Sequence, residues 1–141
     1  MNVEAGRGVI VFGWVANALF LVTAVPAAAG VDAFVGPAVL VALALFFVSL
    51  GAFVYAFVLA AARSANGDNI AVANLFFLQG SAPRPVQVQF LAMFCVCTVI
   101  ACATVVWAPF GVLVPMLPVG LAGVWAAREG TFPPRLPPTR R

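Results

Sequence analysis

Apolar runs and polar breaks alternate along the chain in a regular order: a run, a brief connection, a second run, one long polar interruption, and then the same pairing again. The first run covers 9–29 (VIVFGWVANALFLVTAVPAAA), and as a helix it would measure roughly 31 Å, enough to cross a hydrocarbon core. The second, 37–62, follows the connection GVDAFVG and would measure roughly 39 Å, so it must tilt or protrude. The third and fourth, 88–107 and 110–127, are separated only by Ala108-Pro109. A rival reading of the first run is a cleavable signal peptide, with Arg7 as its charged start and Ala27 to Ala29 as the cleavage site. The run exceeds the usual length of such a segment, and Asn17 at its middle favours a packed span.

The long interruption, Arg63 to Gln89, joins the two pairs. It opens on an Asn66-Gly67 turn signal, and its Gly80 to Pro85 stretch is expected to break any helix. Between them, 70–78 (IAVANLFFL) is too short to cross and too apolar for water. It predicts an interfacial helix capped by Asp68 or Asn69, with a short re-entrant element as the alternative. The predicted fold is therefore all-α: a four-helix transmembrane bundle of two hairpins over residues 1–129, with an interfacial helix in the central cytoplasmic loop. Residues 130–141 (GTFPPRLPPTRR) are expected to form a flexible Pro/Arg-rich cytoplasmic tail.

Composition agrees with a bilayer as solvent. Hydrophobic residues make up 65% of the chain and charged residues 8%, with a mean hydropathy of +1.13, whereas soluble domains carry roughly 25% charge. The pI near 9.2 could suggest nucleic acid. Position argues otherwise, because the arginines flank apolar runs and do not line one polar face. With the amino end inside, Arg7, Arg63, Arg84, Arg128, Arg135, Arg140 and Arg141 all fall on the cytoplasmic side, and the outer connections carry none. The positive-inside rule then places both termini on the cytoplasmic side. So one-sided a bias also opposes the dual insertion that antiparallel small exporters require.

Candidate chemistry is sparse. The predicted spans hold no ionisable carboxylate, arginine, lysine or histidine, whereas proton relays and ion paths depend on such groups; small multidrug exporters in particular need an embedded glutamate. His and Lys are absent from the whole chain, which removes many general bases and Schiff-base mechanisms. The cytoplasmic acids, Glu4, Asp68 and Glu129, form no convergent pair, and neighbouring arginines account for them. Cys95 and Cys102 share a helix face while Cys97 lies about 200° round from Cys95, so one helix cannot bring three thiolates to one ion. No catalytic residue, cofactor site or metal site is expected.

The polar residues Asn17, Ser49, Tyr55, Thr98 and Thr104 are read mainly as helix contacts. Ala52, Ala56 and Ala60 recur every four residues as a ridge without bulk, and Gly120 and Gly123 offer a similar surface on the fourth span. Pro115 and Pro118 should kink that span and free the carbonyls of Gly111 and Val114, a weak cation-site possibility. Trp14, Trp107, Trp125 and Phe110 fit an aromatic belt. Pro134 to Pro137 fits a PxxP pattern, although attraction of the tail arginines to anionic lipid is the simpler account. The expected function is an accessory or structural membrane protein acting through helix packing, as a homo-oligomer or with a partner membrane protein. The alternative is a small transporter or channel for an apolar or weakly polar solute, with Asn17, Ser49 and Tyr55 as lining.

NLFFLQGSAP (Asn74 to Pro83) and LVPMLPVGLAGVWAAREGTFPPR (Leu113 to Arg135) together resemble segments of small membrane proteins common in actinobacteria. The resemblance implies an inner-membrane setting and implies no activity.

Overall fold

The computed structural model describes residues 6–135. Five α-helices run in the order α1 (Arg7–Ala28), α2 (Val35–Ala65), α3 (Val72–Phe76), α4 (Arg84–Thr104) and α5 (Met116–Glu129), with 3-10 turns at Asp32–Phe34 and Pro109–Leu113. Four segments are long and apolar enough to cross a membrane, the fourth combining the second 3-10 turn with α5. The chain is a multi-pass four-helix bundle of two hairpins. Glu4, Pro137, Arg140 and Arg141 lie outside the described residues.

The starts of α1 and α4 and the ends of α2 and α5 meet at one end of the bundle. Gly6 lies against Trp125 and Glu129, and Arg63 reaches the carbonyls of Ala127 and Gly130. Arg7, Arg63, Arg84, Arg128 and Arg135 therefore share one end, and Asp32 stands at the other, between α1 and α2.

Helix α5 is the central strut. Ten of its 14 residues are buried against six of 31 in α2, so α5 is enclosed by its neighbours while most of α2 faces outward. The α5 helix alone reaches about 21 Å, too short for a span; the preceding 3-10 turn, at about 2 Å per residue, supplies the rest. The break follows from Pro115, which cannot donate an amide proton and acts as the α5 N-cap.

The helix boundaries correct the reading of two further prolines. The chain is non-helical from Phe77 to Pro83 as expected, but the break ends early: Pro83 caps α4 and Pro85 lies in its first turn. Amides there have no partner within the helix, so proline's missing N–H costs nothing. The α4 helix thus begins four residues earlier than its apolar run suggests.

Helix α3 forms within the expected segment but only over five residues, and its N-cap is Ala71. Asp68 does not cap it, because its carboxylate pairs with Arg63 at 2.8 Å. The segment is two-faced: Leu75, Phe76 and Leu78 are buried, while Val72 and Phe77 are exposed. Leu78 holds a positive φ of 58° that disfavours a branched side chain, and burial of that side chain in the core offsets the cost.

One expectation fails, and the described start of the tail has fixed partners, for a shared reason. Trp125 is 1% exposed, a core residue and not part of an aromatic belt, while Trp107 and Phe110 are exposed. The tail is extended over Thr131–Arg135, yet it is tethered. Thr131 N–H donates to Ser81 O at 3.0 Å, Asn69 N–H to Pro133 O at 2.8 Å and Arg135 N–H to Gly67 O at 2.8 Å. In both cases the end of α5 is covered by other segments, the first turn of α1 on one side and the central loop on the other.

Candidate functional site

The residues singled out along the chain fall into three places. The first is a seam between α2 and α5. The buried positions of α2, which include Ala42, Leu45, Ser49, Ala56 and Ala60, recur at spacings near 3.6 and form one stripe. Gly120 and Gly123 face it. A β-carbon at Gly120 would stand 3.2 Å from Ser49 O and 3.3 Å from the Ala52 Cβ; one at Gly123 would stand 3.1 Å from the Ala56 Cβ. Small residues here let two backbones approach, which a bilayer rewards because lipid is as apolar as any side chain. Phe76 of α3 enters the same seam, with ring centroids 4.9 Å from Phe53 and 5.4 Å from Phe57. The alanine and glycine ridges are therefore occupied within the chain.

The second place lies between α1 and α4. Asn17 Nδ2 donates to Met93 O at 3.0 Å, in the buried middle of both helices. Gly13, one turn earlier, brings α1 against Met93 and Leu121. Asn17 Oδ1 and Ser49 Oγ have no hydrogen-bond partner. Thr98 and Thr104 donate to carbonyls four residues back within α4. Tyr55 is 47% exposed on the outside of α2. Asn17, Ser49 and Tyr55 thus occupy three different surroundings and do not line one path. An expected outcome follows for Asn17→Leu. One interhelical bond of roughly 0.6–2 kcal/mol is lost, but an unpaired buried oxygen goes with it, so the net cost should stay near or below about 1 kcal/mol in detergent unfolding.

The carbonyls assigned to the proline kink are already taken. Gly111 O accepts from Val114 N–H at 3.1 Å and Val114 O from Leu117 N–H at 2.9 Å. The backbone tightens into three-residue bonds where the four-residue bonds are lost. Among the described residues no group of His, Cys, Asp or Glu could hold a metal ion. Cys97 is fully buried, whereas Cys95 and Cys102 are exposed on the other side of α4. On stepwise unfolding in detergent, Cys97 should therefore be the last of the three thiols to react with a maleimide, as mass spectrometry of the labelled peptides would show.

The third place is the arginine end, where the polar chemistry is concentrated. Arg63, the third-last residue of α2, holds three partners at once. Its Nε donates to Asp68 Oδ2 at 2.8 Å, and its Nη1 donates to Ala127 O at 3.2 Å and Gly130 O at 3.0 Å. Its guanidinium carbon also sits 4.8 Å from the ring centre of Phe132. The last carbonyls of a helix lack internal donors and carry partial negative charge, so a guanidinium there satisfies both needs. Arg135 adds a bond to Ser64 at 3.2 Å, and Gly67, at φ 106°, makes the turn that returns the loop towards Pro134. Loop and tail become one ordered cap. Arg63 was expected as an orientation signal and as charge balance for Asp68; its bonds to Ala127 and Gly130 and the bond from Thr131 to Ser81 do not follow from local pattern, because they join segments far apart in the chain.

Compared with protein-family models, with curated proteins and with solved structures, the chain shows no match.

Proposed function

We propose that this multi-pass membrane protein works without catalysis, as an accessory subunit of a bacterial plasma membrane, with both termini cytoplasmic and its ordered cap as the surface a partner reads. The observation that carries this reading is the distribution of polar chemistry: within the spans it is spent on internal packing, and outside them it is gathered into the Arg63 cap. The segregation of five arginines at that end supports a cytoplasmic placement. Occupation of the small-residue seam within the chain moves the expected partner surface from the ridges to the cap and the outward faces. A transport role has little support, since the polar span residues share no cavity.

The test is purification of the tagged chain from its own membrane in mild detergent, with copurifying chains read by mass spectrometry, for the natural protein and for Arg63→Ala. A stoichiometric partner or second copy that is retained by the first and depleted with the second supports the reading. A stable monomer that carries nothing overturns it. Flux through liposomes that falls in Asn17→Leu would move the weight to transport.

A further inference from the structure

The first turns of α1 and α4 stand side by side at the arginine end. Between them lies an open groove of about 560 Å³, walled by Arg7, Ile10 and Trp14 on one side and by Pro85, Val86 and Gln89 on the other. Its chemistry is graded. Arg7 stands at the mouth, and Trp14 lies two turns, about 10 Å, further along the helix. There the indole N–H donates to Gln89 Oε1 at 2.8 Å, which fixes the amide so that its two N–H donors are left for another acceptor. The remaining walls are aliphatic.

The charge at the mouth is positive from several sources. Neither α1 nor α4 has a side-chain cap, so both helices bring the positive ends of their dipoles to the same end, although the Val9 and Ile10 amides bond to Gly6 O and the Val86 and Gln87 amides to Pro83 O. Arg7 forms no ion pair among the described residues, and Arg84 precedes Pro85 at the start of α4. Among the described residues the nearby acid is Glu129, which lies against Gly6 in a separate hollow with Trp125 and Arg128. The groove also opens towards surface that a bilayer covers, since Val11, Val88 and Leu91 are exposed.

We propose that this groove binds one anionic phospholipid, with the phosphate at Arg7 and the paired helix starts, an ester carbonyl at the Gln89 amide and the upper acyl chain along Ile10 and Val86. A soluble anion would use only the mouth. A zwitterionic lipid would bring an ammonium group to a site already positive.

Native mass spectrometry of the full chain in mild detergent, titrated with phosphatidylglycerol or phosphatidylethanolamine of equal chain length, tests this. The first phosphatidylglycerol should bind at least about fivefold more tightly than phosphatidylethanolamine, and Arg7→Gln should remove about that factor, as expected for one arginine at an anionic lipid surface. Gln89→Leu, which keeps the charge, should weaken both lipids and serves as the second variant if Arg7→Gln does not fold. Arg128→Gln makes the same charge change at the same end but outside the groove, and should leave the first phosphatidylglycerol within about twofold. The proposal fails if the natural chain does not prefer phosphatidylglycerol, or if Arg128→Gln loses as much as Arg7→Gln, which would mean diffuse attraction. It fails equally if glycerol phosphate alone displaces the lipid completely.

Discussion

Replacing Gly123 with leucine should separate α2 from α5 and lower the unfolding free energy by about 3 kcal/mol, the upper range for overpacking a well-packed core. Even a single β-carbon there would meet Phe76 Cε1 at 2.5 Å and Phe76 Cδ1 at 2.7 Å, inside any allowed separation. Relief cannot come from the other side, where the Ala56 Cβ would be 3.1 Å away. The conservative change Gly123→Ala should therefore cost about 1–2 kcal/mol, although alanine is the better helix former. Phe76→Ala should cost about 3–4 kcal/mol through the cavity it leaves between Phe53, Phe57 and α5.

The two changes should not add. With the Phe76 ring removed, the new β-carbon of Gly123→Ala has room, and the double variant should be less destabilised than the sum by about 1 kcal/mol or more. Reversible unfolding in mixed micelles measures all three. Strict additivity would mean that Phe76 does not occupy the seam.

Arg63→Ala should loosen the cap while leaving the four spans folded. The ion pair with Asp68 is about one-third exposed, so it contributes at most roughly 1 kcal/mol. The bonds to Ala127 O and Gly130 O matter more, because a charged donor is worth about 1.5–3 kcal/mol and its loss strands a carbonyl in the last turn of α5 and one just beyond it. A local loss of about 2 kcal/mol should speed exchange of the amide protons of Asn69 and Arg135 about thirtyfold. The helical amides of α4 should not change. Arg63→Lys should restore little of this protection: one ammonium cannot keep the Asp68 bond, two carbonyl bonds and the stack on Phe132 in a fixed fork. Full protection with lysine would show that charge alone holds the cap.

The span count, the two hairpins and the break near Pro115 were legible because each rests on a local rule: apolar length against bilayer thickness, turn residues between runs, and the missing proline amide. The candidate contacts at Gly120, Gly123, Ala56 and Asn17 were legible for a related reason. In an apolar medium, small size and a lone amide are the marks of a protein-facing surface. Gly13 carries the same mark, in step with Ala16, Ala24 and Ala27, and a search for small residues at helical spacing would have found it. Trp125 misled because an aromatic near a span end fits a belt and a core equally well.

By itself, then, the sequence determined the solvent, the four crossings and the collection of arginines at one end, since these depend on hydropathy and charge summed over short windows. Tertiary structure alone decided that the small-residue ridges meet each other inside the chain, that Phe76 fills their seam and that Arg63 gathers loop and tail. The physical reason is that lipid-facing and protein-facing positions are equally apolar in a bilayer. Which face is buried is therefore set by shape and by partners distant in the chain, and neither is written in local hydropathy.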